Sequence, residues 1–584
     1  MAALVVVLGS PPALADEADL DGLTPSPTPD PVLLAPTLGR PAFVEPGGVL
    51  DVTVGWPGMP DDPRFVLVSD GILPHRHALT PQAQNGDAGE GTVTFELLLA
   101  EDIPEKTYDL EISAGQTVLS GRHAVAVARL QNRLRLVHLS DMNVGAIGVP
   151  GVDHRLIAEV NLLDPTLIVA TGDLVDATHD DPEAGWQQVS EFLASFDAPV
   201  LVACGDHDDV SLYSRLMAPS PIGAIDVGAF RGIVLYDLPE RPISVDEDQI
   251  DWVQRELARG HPRLTFVVSH DESPNLLRHW MSRDMLKRMV WTSRIGLWFS
   301  GGHQDWDRLE YRALVDGAEP MLYLRTHQAS TATLGGAEGV SHYRVVDVDG
   351  DRAVLYGPWM SSTMPHSTPV GRLAATFDVP NDGSARRVAV TVVNGLSFRL
   401  KQLATRVLVR KEAGQLPWCL GAQLERVTDI GDVWECKLRF DLPDKGTLRA
   451  VVGTGVRPAS PQVNVVIDGP SELVFEPVVS EDAVIDFAAE WAGSVRLQNN
   501  GGRAVKVMPV VRLDGELIAY KVVGEQGPFA SAYHLQLQPG QPVALQLDFT
   551  GLRIGSGPHA LQVYIKGGPA LVPVCWPVDV TVQE

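Results

Sequence analysis

"TLIVATGDLVD" (Thr166–Asp176) and "PVLVACGDHDD" (Pro199–Asp209) are built alike: a short run of Val, Leu, Ile and Ala stops abruptly at glycine and acid. A run that is apolar at every position, without alternation, predicts a strand covered on both faces, as in a sheet flanked by helices. The acidic end predicts a polar tip at the strand's carboxyl edge, where open α/β sheets collect their chemistry. The same design recurs in both directions along the chain. "RLRLVHLSDMN" ends at Asp141 and Asn143, "LTFVVSHD" at His270, and "RIGLWFSGGHQDWD" at His303 and Asp305. Helical patterns lie between these runs, among them "HRLIAEVNLL", "WQQVSEFLAS" and "QIDWVQRELAR". Together they predict an α/β domain over residues 130–371.

Five such tips would bring Asp141, Asn143, Asp173, Asp206, His207, Asp208, His270, His303 and Asp305 to one edge. Carboxylates this crowded push up each other's pKa unless a cation offsets them. A mixed Asp/His set suits divalent transition ions. A shared carboxylate with ligands on either side would hold two ions about 3.5–4 Å apart, the arrangement used in phosphoester hydrolysis.

The ordered motifs are Asp-x-Asn, Gly-Asp, Gly-Asp-His-Asp, His and Gly-His-x-Asp. They resemble the calcineurin-like metallophosphoesterases, whose pattern is D-x-H, G-D, G-N-H-[DE], H, G-H-x-H at strand ends. The resemblance covers residues 132–350. It implies a two-sheet α/β sandwich flanked by helices, and hydrolysis of a phosphomonoester or phosphodiester by metal-activated water. It also implies roles: Asp141 on the first metal, Asp173 bridging, His270 and His303 on the second, His207 as general acid, and Asp208 orienting His207. Asp176 stands where the purple acid phosphatase branch has a tyrosine, so a tyrosinate-bound ferric ion is not expected.

Three positions depart from that pattern: Asn143 and Asp305 replace histidines, and Asp206 replaces an asparagine. The second site then keeps Asp173, Asp206, His270 and His303, a set suited to Mn, Fe or Zn. The first becomes Asp141, Asn143, Asp173 and Asp305, all oxygen, which suits Mg, Mn or Ca or leaves that site empty. Two readings follow. One is an active metal-dependent phosphatase or phosphodiesterase. The other is a catalytically inactive, secreted binding or scaffold protein whose β modules carry the function. His138, just before the first motif, reads as a satisfied core histidine or as one standing behind the ligands.

The chain's 584 residues exceed one core and suggest roughly three to five domains. "MAALVVVLGSPPALA" predicts a signal peptide over residues 1–15, hence export to the periplasm, the exterior or the cell surface. A Pro-rich linker spans 16–38, and alternating strands predict immunoglobulin-like β-sandwiches at 39–129 and 459–584 with a further β-sandwich at 372–458. These modules are candidates for binding the cell envelope, glycans or proteins. With 46 basic and 74 acidic residues the formal charge is −28, which argues against nucleic-acid binding by charge. No apolar run is long enough for a transmembrane helix. Among four cysteines, Cys419 and Cys436 are the most plausible disulfide pair.

Overall fold

The computed structural model describes residues 30–582, apart from 60–61, 70–74, 87–90, 131, 147, 150, 237–246, 261, 271–294, 303–306, 313–320, 332–339, 351, 358–365, 456–462, 471, 481–482, 490, 501, 515, 527, 532–533, 551, 553–555 and 567–573. The signal-peptide reading at 1–15, most of the linker reading, and the two candidate ligands His303 and Asp305 lie outside the described residues.

The central unit contains strands β1 (Arg133–Leu139), β2 (Leu167–Ala170), β3 (Val200–Val202), β4 (Gly223–Val227), β5 (Phe230–Val234), β6 (Leu264–Val268), β7 (Ile295–Ser300), β8 (Arg308–Arg312), β9 (Met321–Arg325), β10 (His342–Asp349), β11 (Arg352–Tyr356) and β12 (Thr368–Pro369). Its helices are α1 (Arg155–Leu163), α2 (Pro182–Leu193), α3 (Val210–Leu216) and α4 (Glu247–Ala258). One sheet runs β3-β2-β1-β10-β11, with β12 on β10; the other runs β4-β5-β6-β7-β9-β8. Strands β1 to β3 are mutually parallel, as are β5, β6, β7 and β9. The antiparallel strands lie at the margins: β10 and β11 on the first sheet, β4 and β8 on the second.

The uninterrupted apolar runs are explained by two different burials. Leu134, Leu136, Leu167, Val169 and Leu201 face Phe266, Val268, Leu297 and Phe299 across the space between the sheets. The residues between them, Val137, Leu139, Ile168, Ala170 and Val200, face outward onto Leu156, Val160, Trp186 and Val189 of α1 and α2. Helix α4 covers the second sheet, with Val253 and Leu257 packed on Val267 and Trp298. The central parallel strands are therefore covered on both faces, and the acidic tips gather at their carboxyl ends.

Eight strands between Val32 and Val127 form one continuous sheet, where two separate sheets were expected. The strand Arg76–Asn85 causes this. Its first part, 76–79, pairs with Arg64–Val68, and its second part, 80–85, pairs with Thr92–Leu98, so one strand serves both sides of the fold. A register shift between Pro81 and Ala83 falls within the second pairing. The sheet curls until its ends meet: a Cβ on Gly121 would lie 2.4 Å from Leu33 Cδ2.

The module at Leu373–Gly453 pairs a four-stranded sheet with a three-stranded one, but its core is not its own. Val388, Val390, Leu400, Val407 and Cys436 belong to the same buried cluster as α1, α2 and the outer face of the first central sheet. Residues 463–582 form a ten-stranded sheet with a separate core around Val495, Leu497, Val511 and Val563. Cys436 is a buried free thiol, so the expected Cys419–Cys436 bridge is not formed. Burial raises its pKa to about 12. Among the described residues no helix is long and apolar enough to cross a membrane.

Candidate metal centre

Three residues on two of the strand tips adopt an unusual backbone. Asp141, Asn143 and Asp173 have φ of 52°, 48° and 49°, the left-handed region that Asp and Asn tolerate better than most side chains. Main-chain bonds stitch their loops together: Asp141 N donates to Gly172 O at 3.2 Å, and Asn143 N to Asp173 O at 2.8 Å. Two glycines make the close approach possible. A Cβ on Gly205 would sit 2.2 Å from Asp173 Oδ1, and one on Gly301 would sit 2.2 Å from Ser140 Oγ and 2.9 Å from Asp141 Oδ2. Gly301 opens the "GGHQD" motif, so its place in the sequence reflects a steric demand of the first motif.

The tips converge. Asp141, Asp173 and His270 bring ligand atoms within 4.8 Å of one another, and so do Asp173, Asp206 and His207, with Asp173 common to both groups. His270 Nε2 lies 3.3 Å from Asp173 Oδ1 and 3.0 Å from Asp206 Oδ1. Its Nδ1 lies 2.6 Å from Thr171 O, so it donates to that carbonyl. The ring is thereby turned with Nε2 toward the carboxylates, as in a metal-ligating histidine held by a backbone partner. Burial opposes a charge on His270, but Asp173, Asp206 and Asp141 outweigh it and raise its pKa well above the ordinary value. A proton on His270 thus offsets these acids in the way a cation would. Burial raises the pKa of Asp141.

The polar atoms left over also point to a cation. Asp141 Oδ1 and both polar atoms of the Asn143 side chain are buried with no hydrogen-bond partner among the described residues. Asn143 is only 2% exposed. Leaving such groups unpaired costs about 1–3 kcal/mol each, and coordination to an ion would remove the penalty. The donor set fits a divalent metal.

The remaining acids do different work. Asp208 accepts from the main-chain N–H groups of Leu174 (2.8 Å), Val175 (3.1 Å) and Gly205 (2.7 Å), fixing the Asp173 loop against the Asp206 loop. Asp209 caps α3 through Ser211 N and Leu212 N. Two carboxylates flank His207: Asp176 Oδ2 lies 3.4 Å from Nδ1, and Asp206 Oδ2 lies 3.9 Å from Nε2. His207 is half exposed; burial lowers its pKa, but Asp173, Asp206 and Asp176 prevail and raise it. Asp307, two residues past Asp305, forms a buried pair with Arg344 at 3.1 Å and also holds Ser367. Sequence reading missed Asp307 and the Asp176–His207 contact. The "GDLVD" spacing, three residues from Asp173 to Asp176, was the signal for the second.

Residues 134–307 match the calcineurin-like phosphoesterase family model. This part of the chain is a calcineurin-like phosphoesterase domain. The chain is 33% identical over 129 residues to the 3',5'-cyclic adenosine monophosphate phosphodiesterase CpdA of Escherichia coli (strain K12), covering 21% of this chain and 45% of that protein. It is 31% identical over 153 residues to a probable cyclic nucleotide phosphodiesterase of Rhodococcus erythropolis, covering 23% of this chain and 51% of that one. The chain thus spans about half the length of the curated relatives it matches. Among solved structures, purple acid phosphatase PPD1 from yellow lupin seeds aligns over 62% of this chain and 72% of its own, at 11% identity and a TM-score of 0.32.

Proposed function

We propose that the chain is an exported, metal-dependent phosphoester hydrolase acting on phosphodiesters of the cyclic nucleotide type. The observation that carries this reading is the convergence of Asp141, Asp173, Asp206 and His270, beside a tip whose Asn143 side chain is buried and unpartnered among the described residues. The cyclic nucleotide class is drawn from the relatives of the domain. Asp141 and Asn143 would hold a first ion, Asp206 and His270 a second, and Asp173 would be shared. Bound divalent ions would neutralise phosphoryl oxygens and activate a water. The protein's own part is to fix those ligands and to deliver a proton. Asp176 beside Nδ1 holds the His207 ring and favours its charged form, leaving Nε2 to protonate the departing oxygen. Export rests on the apolar, small-residue pattern of residues 1–15. The flanking β modules, read as immunoglobulin-like, would hold the domain near a surface or a partner.

The replacement of two expected histidines by Asn143 and Asp305 favours a second reading, a binding protein that has lost turnover. Hydrolysis of cyclic AMP and of bis-p-nitrophenyl phosphate with Mn, Mg, Ca or Zn, together with the metal content of the purified protein, separates the two. Turnover that needs metal and falls at least 100-fold in His207→Ala is expected for the hydrolase. Bound metal without turnover on either ester supports the binding protein.

A further inference from the structure

His138 sits on the inner face of β1, in line with Leu134 and Leu136, where the alternation calls for another apolar residue. It is fully buried, and its ring meets Phe299 edge to face at 5.1 Å. An imidazole in that dry layer is costly unless both nitrogens are bonded, and both are. Nδ1 lies 2.6 Å from Thr326 Oγ1, and Nε2 lies 3.0 Å from Thr171 Oγ1. The chain of contacts continues in both directions. Thr171 Oγ1 donates to Ser140 Oγ at 2.8 Å, and Ser140 Oγ donates to Asp141 Oδ2. On the far side, Arg344 Nε donates to Thr326 Oγ1 at 3.3 Å, and Arg344 is paired with Asp307.

The carboxylate end sets the direction of the bonds. A carboxylate can only accept, so Ser140 gives its single proton to Asp141 and accepts from Thr171. With the Thr171 proton spent on Ser140, His138 Nε2 is the donor to Thr171 Oγ1. Burial lowers the His138 pKa to about 3, so the ring is neutral and Nδ1 carries no proton. Thr326 then donates to Nδ1 while accepting from Arg344 Nε.

We propose that His138 is a positioning residue for the metal site, the centre of a one-way relay from the Asp307–Arg344 pair that engages Asp141 Oδ2 and leaves Oδ1 as the oxygen offered to the ion. This rests on the metal reading above. Asp141 has one oxygen committed to Ser140 and the other buried and unpartnered among the described residues, as one-oxygen coordination requires. The relay also joins the last strand-end segment to the first: Asp307 closes "SGGHQDWD", and Asp141 opens the site.

The test is titration calorimetry of the full chain with MnCl2, alongside nitrogen NMR of the metal-free protein to locate the His138 proton. Thr171→Val keeps the side chain's shape and breaks the relay; Thr171→Ser keeps the hydroxyl; Ser140→Ala breaks it one step later. The expected result is about 10-fold or greater loss of Mn affinity in Thr171→Val and Ser140→Ala, retention in Thr171→Ser, and a proton on His138 Nε2. Wild-type affinity in both folded, relay-breaking variants, or a proton on Nδ1, would overturn the relay alone. Absence of Mn binding by the wild type would instead overturn the metal reading and, with it, the role given to His138.

Discussion

Four consecutive residues, Asp206 to Asp209, illustrate how little the identity of a side chain says about its task. Asp206 faces His270, Asp208 binds three main-chain amides, and Asp209 caps a helix. The tasks predict different consequences for the same truncation. Asp209→Ala should lower stability by about 1 kcal/mol, the usual worth of a helix cap, and leave Mn affinity unchanged. Asp208→Ala strands buried amides that each cost about 1–3 kcal/mol, so it should destabilise by about 3 kcal/mol or more. It should also weaken metal binding, because the Asp173 loop loses its anchor. Urea melts and Mn titration of the two variants check this; equal losses in both would contradict the assignment.

At the scale of elements, helix α1 acts as a clasp. Glu159 on its inner side accepts from Tyr343 of β10 at 3.0 Å, and from Gly371 and Leu373 at the start of the next module. Burial outweighs these bonds and raises the Glu159 pKa above its ordinary value of 4.5. The folded state therefore prefers the protonated acid. Its contribution is complete below pH 4.5 and is lost as pH rises through the folded value. Glu159→Gln, which mimics the protonated form, should be more stable than wild type at pH 8 and equal to it at pH 4. Thermal melts across that range test the sign. Such clasps explain what could be read from the sequence and what could not. The strand tips were legible because an apolar run stopped by glycine and acid is a local signal, and it located the described ligand candidates. The relay was not, since His138, Thr171, Thr326 and Arg344 meet only after four strands and their loops are assembled. The one-sheet N-terminal module was hidden for a different reason: the strand that links its two sides, Arg76–Asn85, buries only Leu79 and so carries no alternating apolar signal.

Over the whole molecule, charged pairs tie the modules together. Lys106 of the N-terminal module meets Glu435 of the module after the phosphoesterase domain at 2.7 Å, with side chains 8% and 9% exposed. Thr107 and His123 reach the main chain of Asp197 and Ala198, just before β3. Burial works against the charge on Glu435, but Lys106 and Arg406 outweigh it and lower its pKa. This contribution is present above the unfolded pKa and is lost as pH falls through the folded one. Glu435→Gln leaves Lys106 buried without its counter-charge and should cost about 3–5 kcal/mol, whereas Lys106→Met with Glu435→Leu should cost far less. Denaturant unfolding of the single and double variants measures the difference.

The apolar cluster shared by α1, the first central sheet and the module at Leu373–Gly453 has a consequence for how damage spreads. A protein whose central domain closed its own core would tolerate lesions in an appended module. Here the appended module supplies part of the wall. A saturation screen scored by protease resistance of the central domain should therefore return destabilised variants at Val390, Leu403 and Val407, positions outside that domain, at rates similar to those for Val160 or Trp186. By contrast, the separately packed strands beyond residue 463 should be nearly silent in the same screen.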